Sequence, residues 1–562
     1  MASNCTCQTE RLAKPLGSLQ PPMADIIGPF GSPSPAECAT VRENILQIAA
    51  DMSELDSEIG RLEKILERLR RNRVALQKHS DGHQNLLNLT RHLPVEILGV
   101  IFIQLQDMLG GRSIAPTRVC RHWREAAIGT SRLWSHINIQ YRTWRALEDT
   151  EMTSIWLQRS GGHPLNIILG RMDPEKFPGT EKENPALDAL LHNQAHRWND
   201  VKLIVTKSML SFLKNIPMCL PMLHTLHIDG PENDLGIMSL NNFRYASALR
   251  VLTLKKRVSL LSSQRLPELP WAQLTAFTLV MRGEPGRRYT SHDACIALKE
   301  AVNLTSCTMA IKASSSFAKK PPSSILLLNL IYLDITAVNG ENVQDIINVL
   351  ELPALTELNI LNSVQSTATT VPEFVAALIT RSDCQLLRLS LGTHGVPFNH
   401  DGLLELLKLT PMLSGLKLQF GGSVGVDDSL MDLLTHKPDH AAGLCCLLPK
   451  LASVRLTVHR AFSYERFLNL LSSRHRVAAC NAGVGLAQLR EAALIAWADV
   501  TASGRRARHL PRETFEGFRE LRESGLDLYV IDGGTRRSLE EYFAPGDVKD
   551  DLVRGRGRGP GW

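Results

Sequence analysis

From Trp198 onward the chain repeats one phrase, apolar-x-x-apolar-x-apolar. It begins at Trp198, Leu223, Leu249, Leu274, Leu304, Leu330, Leu355, Leu386, Leu413 and Leu451, at separations of 25, 26, 25, 30, 26, 25, 31, 27 and 38 residues. The fourth position reads Val201, Leu226, Leu252, Phe277, Cys307, Leu333, Leu358, Leu389, Leu416 and Val454. The sixth reads Leu203, Ile228, Leu254, Leu279, Met309, Ile335, Ile360, Leu391, Leu418 and Leu456. All twenty are apolar, whereas the residue between them is always polar: Lys202, His227, Thr253, Thr278, Thr308, Asp334, Asn359, Ser390, Lys417 and Arg455. Alternation with period two is the mark of a strand with one buried face. Ten parallel strands are therefore expected, with the ten polar residues aligned as a face that a substrate protein could contact. Helical spacing appears between them at Cys295–Val302, Val343–Leu350, Glu373–Ile379, Leu403–Leu407, Leu430–Leu434 and Phe467–Leu471. A β-then-α unit of this size buries its apolar side only against its neighbours, so the units form an array.

A different period governs the region upstream. Val41, Ile45, Ile48, Met52, Leu55, Ile59, Leu62, Leu66, Leu69 and Leu76 follow a 4-3-4-3 spacing interrupted only by Arg73. This is a heptad seam, and it predicts a coiled-coil-like helix over 38–80. Glu54, Glu58, Glu63 and Glu67 with Arg61, Lys64, Arg68 and Arg70 supply its charged outer surface, and residues 61–78 hold seven Lys or Arg against two Glu. Two uses stay open: the helix folds back on its own chain, or residues 41–76 join copies into a homo-oligomer.

Between the two regions lie a pair of short amphipathic helices. Leu93-Pro94 is a helix start, since proline at the first turn sacrifices no hydrogen bond. Ile97, Leu98, Ile101 and Phe102 then share one side, and Val119, Cys120, Trp123 and Ala127 repeat the device before Leu133-Trp134. So small a unit does not bury enough apolar surface alone, which leaves a partner or the next domain to cover it.

Composition narrows the function classes. With 562 residues, 44% of them apolar, two or three domains are expected, and no run of about 18 apolar residues exists to cross a membrane. Met1–Pro35 is polar with no apolar signal core, so a cytoplasmic or nuclear location, or both, is expected. The eleven cysteines lack paired metal-site spacing, and a net charge of +6 is too small and too dispersed to argue for nucleic acid, which is not expected as a partner. No Gly-x-Ser-x-Gly, no Gly-x-x-x-x-Gly-Lys-Ser/Thr and no His-Glu-x-x-His occurs, so neither enzyme chemistry nor a cofactor is expected. His227, His394 and His459 read as surface groups. Residues 1–37 are expected to be disordered, and 546–562, with Arg554-Gly555-Arg556-Gly557-Arg558-Gly559, to be a flexible tail.

The series Leu93-Pro94-x-Glu96-Ile97-Leu98-x-x-Ile101-Phe102, Val119-Cys120-Arg121-x-Trp123-Arg124 and Leu133-Trp134 resembles an F-box, here within 89–139. Trp156-Leu157-Gln158-Arg159-Ser160-Gly161-Gly162-His163-Pro164-Leu165 follows, and the spacing of the repeated phrase resembles that of leucine-rich repeats. In this order the pieces resemble a large family of F-box proteins of mushroom-forming fungi. The resemblance implies an α/β chain: a heptad helix, a small helical F-box and an irregular leucine-rich-repeat solenoid over 150–531. It implies a substrate receptor of a cullin-RING ubiquitin ligase that binds the Skp adaptor through Leu93, Pro94, Ile97, Leu98, Ile101, Phe102, Val119, Cys120, Trp123, Leu133 and Trp134. Two departures stand out. Gln106–Pro116 is a shortened, glycine-containing stretch where an F-box has a leucine-rich helix. The asparagine or cysteine ladder of regular repeats is replaced by Pro231, Arg257, Arg282, Lys312, Val338, Ser363, His394, Gly421 and His459. The alternative is an interaction scaffold independent of ubiquitin.

Overall fold

The computed structural model describes residues 32, 34–87, 89–109, 114–139, 146–170, 184–205, 209–230, 240–255, 266–280, 291–312, 324–338, 343–362, 371–394, 400–421, 428–436, 447–458, 462–475, 486–496, 508–532 and 535–545. The expected disordered segment 1–37 falls outside them except at its end, and the tail 546–562 falls outside entirely. The protein is mixed α/β, and the chain divides into two units, Met1–Leu98 and Gly99–Trp562.

The first unit is dominated by one helix, α1 (Pro35–Leu86). It starts at Ser34-x-x-Glu37, where the Glu37 N–H donates to Ser34 Oγ at 3.3 Å and the Ser34 N–H donates to Glu37 Oε2 at 2.7 Å. Such a reciprocal box satisfies two otherwise orphaned donors, which is why the helix begins ahead of residue 38. Arg61 pairs with Glu58 at 2.6 Å and Arg71 with Glu67 at 3.5 Å along its surface. In the single chain the seam is open: Ile45, Ile48, Met52, Ile59, Leu62, Leu66, Leu69 and Leu76 are exposed, and Val41 and Leu55 are half-buried.

Helix α2 (Val95–Met108) follows Leu93-Pro94, and the proline stands just ahead of its first turn. In the second unit, α3 (Arg121–Gly129) is capped by Cys120, whose Sγ accepts the Trp123 N–H at 3.5 Å. Phe102 leans on Trp123 with ring centroids 5.2 Å apart. The Trp134 indole N–H donates to Ala127 O at 2.8 Å, and Gln106 Nε2 donates to Leu133 O at 3.1 Å. Phe102, Ala126, Ala127, Leu133 and Trp134 are buried and give this small region a core of its own. Gly99 allows close approach, because a Cβ there would sit 2.8 Å from Thr130 Oγ1.

Fifteen strands form one sheet among the described residues, in the order of the chain. They are β1 (His136–Ile139), β2 (Leu165–Gly170), β3 (Trp198–Ile204), β4 (Thr225–Asp229), β5 (Val251–Lys255), β6 (Ala276–Val280), β7 (Ser306–Lys312), β8 (Tyr332–Val338), β9 (Glu357–Asn362), β10 (Arg388–His394), β11 (Gly415–Gly421), β12 (Ser453–Val458), β13 (Glu491–Ala496), β14 (Asp527–Asp532) and β15 (Thr535–Arg537). From β1 to β14 every neighbour is parallel, and β15 turns back antiparallel on β14. Each of the ten repeated phrases supplies one strand, β3 to β12, and its first, fourth and sixth residues are buried. The intervening helices Val371–Ser382 and His400–Lys408 pack on one another, as do Asp428–Leu434, Tyr464–His475 and Arg512–Glu523 in succession. Their apolar sides, for example Val375, Leu378, Leu406, Leu470 and Phe518, join the strand leucines in one continuous core. Parallel pairing in chain order requires a crossover between each strand and the next, which a helix supplies at many of the steps and a 3-10 turn at others.

The positions expected to carry an asparagine ladder are only partly described. Lys312, Val338, His394 and Gly421 close strands, while Pro231, Arg257, Arg282, Ser363 and His459 lie outside the described residues. Among the described residues, arginines also tie neighbouring segments through backbone carbonyls. Arg197 donates to His163 O and Ser160 Oγ at 2.7 and 2.8 Å, and Arg381 donates to Ile347 O and Leu350 O at 2.7 and 2.8 Å. Arg474, fully buried, donates to the carbonyls of Leu434, Leu447 and Leu448. One guanidinium presents five donors in a planar fork, so it closes several carbonyls at once.

Candidate functional site

The solvent face of the sheet gathers the polar residues of the repeats into a single row. Strand register pairs Lys202 with His227, then Thr253, Thr278, Thr308, Asp334, Asn359, Ser390, Lys417 and Arg455, each with its neighbour on the next strand. All ten are half-buried, because each is flanked on both sides by another strand's side chain. The row continues beyond the ten. Asn138 and Ile168 extend it through β1 and β2, and Ala493 and Tyr529 through β13 and β14. Ile168, Ala493 and Tyr529 escape a search for a polar residue between two apolar ones. A weaker signal, the bare apolar-x-apolar pairs Ile167/Leu169, Ala492/Leu494 and Leu528/Val530, would have found them.

Residues two positions earlier share the same face, as period two requires. They bring charges that the repeat pattern by itself did not single out. Tyr332 OH donates to Asp334 Oδ2 at 3.1 Å and receives the Asn359 Nδ2 donor at 3.1 Å. Arg388 pairs with Glu357 on the adjacent strand. Glu491 accepts from Arg455 at 2.7 Å, from Ser453 Oγ at 2.8 Å and from Tyr529 OH. Arg536 lies over the Tyr529 ring at 3.9 Å and pairs with Asp527.

Partial burial governs the protonation of this face. Desolvation, helped by the nearby Lys255 and Lys202 cations, pushes His227 down to about 4, so it is a neutral hydrogen-bonding group at neutral pH. Burial raises the Asp334 carboxyl, against the hydrogen bonds from Tyr332 and Asn359 and the charge of Lys417. Burial likewise lowers Lys417, as does Arg455 beside it, against the pull of Asp334. Burial acts to raise Glu491, but its hydrogen bonds from Tyr529, Ser453 and Arg455 outweigh this and hold it below the ordinary value. Tyr529 is pushed up to about 12 by burial and by Glu491. The face is thus a band of paired and half-desolvated polar groups.

The residues expected at an adaptor surface divide by exposure. Pro94, Ile97, Ile101 and Val119 are exposed, and Leu93, Cys120 and Trp123 are half-buried. Leu98, Phe102, Leu133 and Trp134 are buried, so they act as internal packing and are out of a partner's direct reach. Val95 and Val100, absent from the expected set, add exposed apolar surface to α2.

A cleft of about 550 Å³ near β14 is lined by Arg519, Arg522, Arg536 and Arg537 with Glu523, Asp527 and Glu540. Arg519–Glu523, Arg522–Glu540 and Arg536–Asp527 are ion pairs within the cleft. Among the described residues no group of His, Cys, Asp and Glu is placed to hold a metal ion, and no helix is long and apolar enough to cross a membrane. No protein-family model matches the chain, and no curated protein matches it either.

Proposed function

We propose that the protein is a substrate receptor of a cullin-RING ubiquitin ligase. In this reading Leu89–Trp134 is an F-box that docks the Skp adaptor, and the repeats form an irregular leucine-rich solenoid whose polar row grips a target protein. The chain performs no bond-making itself. It raises the effective concentration of target lysines at a ubiquitin donor held elsewhere in the assembly, and proximity of this kind removes a large entropic barrier. Such an assembly works in the cytoplasm or nucleus.

The observation that carries the reading is the head: the ordered motif series from Leu93 to Trp134, with an exposed apolar strip at Ile97, Val100 and Ile101 on α2. Apolar side chains concentrated on one short helix and left in water are the usual mark of a docking surface. The sheet supports it with a row of half-buried polar groups in strict register.

Co-expression with a Skp adaptor tests the reading. Wild type should co-purify in equal amounts, and Leu93→Ala with Pro94→Ala, or Ile101→Asp alone, should abolish the complex while the unfolding curve of the sheet stays unchanged. Loss of one anchor typically costs about 2 kcal/mol or more, roughly a 30-fold weakening. Wild-type protein that fails to bind any adaptor, or variants that bind as well as wild type, would overturn it. The exposed seam of α1 favours a second reading, a ubiquitin-independent scaffold that gathers copies of itself around one ligand. Self-association without adaptor binding is its signature.

A further inference from the structure

We infer that α1 pairs with α1 of a second copy of this chain in antiparallel orientation, over its whole length. This stands whether or not the head binds an adaptor. Eight of the ten apolar seam residues are exposed among the described residues, and the distribution of charge along the helix names their occupant.

Residues 41–60 carry five carboxylates against one arginine, whereas residues 61–80 carry seven Lys or Arg against two glutamates. The change of sign falls between Gly60 and Arg61, which is the midpoint of Pro35–Leu86. A helix with one acidic and one basic half repels a parallel copy of itself and attracts an antiparallel one, at separations within the roughly 8–10 Å over which salt leaves charges effective.

The heptad register agrees. Placing Ile59 against Leu62 of the second copy sets Leu55 against Leu66, Met52 against Leu69 and Ile45 against Leu76, all apolar layers, sets Val41 against the small Ser80, and brings Pro35 opposite Leu86 so that no turn is left unpaired. Arg73 is the one charged residue in the seam. In a parallel pair it would meet Arg73 of the other copy inside the stripe. In the antiparallel pair it meets Ile48, and its long stem lets the guanidinium reach outward toward Asp51 of the second copy. Flanking contacts improve as well. Parallel pairing sets Asp51 against Asp56 and Glu58 against Glu63, while the antiparallel pair keeps only one like-charged flank, Asp56 against Glu63. The two C-terminal ends of α1, each leading into a head, then lie about 78 Å apart for a 52-residue helix at 1.5 Å per residue.

Orientation is read by cysteine. Cys38 lies on the stripe three residues before Val41 and opposite residue 83 in the antiparallel register. Light scattering of the full chain at micromolar concentration should give twice the monomer mass, and added salt should weaken the dimer. A short bismaleimide should join Cys38 to position 83 of the other copy in the His83→Cys variant, with the bridge identified by peptide mass mapping. Leu62→Asp with Leu66→Asp should halve the mass while the thermal transition of the sheet is unmoved. A monomeric wild type, a dimer that survives the double aspartate variant, or a Cys38-to-Cys38 bridge would each overturn the inference.

Discussion

Leu358 and Asn359 are adjacent on β9 and face opposite sides of the sheet, so a paired substitution measures the phase of the strand directly. Leu358 is fully buried, in register between Leu333 and Leu389. Truncation to alanine removes three carbons, about 2.4 kcal/mol at roughly 0.8 kcal/mol per buried methylene. A cavity flanked by two more leucines does not collapse freely, which brings the expected cost to about 2–5 kcal/mol. Asn359 is half-buried, donates to Tyr332 OH at 3.1 Å and also hydrogen-bonds the Asp334 carboxylate. Its removal leaves the Tyr332 bond to Asp334 in place, so Asn359→Ala should cost only about 0.5–1.5 kcal/mol. Urea unfolding followed by circular dichroism reads both, with a constant slope certifying that the same surface unfolds. Equal destabilisation by the two variants would mean that the strand phase is misread. The row from Lys202 to Arg455 would then have to be abandoned as a binding face.

Arg474→Ala should destabilise by about 3–5 kcal/mol, because the carbonyls of Leu434, Leu447 and Leu448 lose a buried charged donor together; Arg474→Lys should recover only part of this in the same urea assay, since an ammonium lacks the planar fork. His227 gives a pH signature. Its folded value near 4 lies below the ordinary 6.5, so the unfolded chain takes up a proton first as pH falls; stability is full above about 6.5 and declines toward 4. Thermal unfolding across that window should show His227→Gln with a shallower decline than wild type, and an unchanged slope would refute the assignment.

Much of this architecture is legible in the residue pattern because burial imposes it locally. At Leu333, Asp334 and Ile335 the apolar-polar-apolar order already states which side chains face the core, since a strand cannot turn one without turning the next. The heptads of α1 and the reciprocal cap at Ser34 and Glu37 are local in the same way, and so is the helix start at Pro94. What the pattern could not supply depends on residues far apart in the chain. Tyr529 and Glu491 join the polar face only because β13 and β14 stack beyond β12, and their middle residue, Ala493 in one case, hides the alternation. Arg474 reads as an ordinary charge near the end of a helix until the fold brings three carbonyls from the preceding turn around it. The division of the head into exposed Ile97 and Ile101 against buried Leu98 and Phe102 likewise follows from which side of α2 the neighbouring segments cover. Spacing within a segment determines its own periodicity, whereas burial, ion pairing and protonation are set by whichever neighbours the tertiary structure brings into contact.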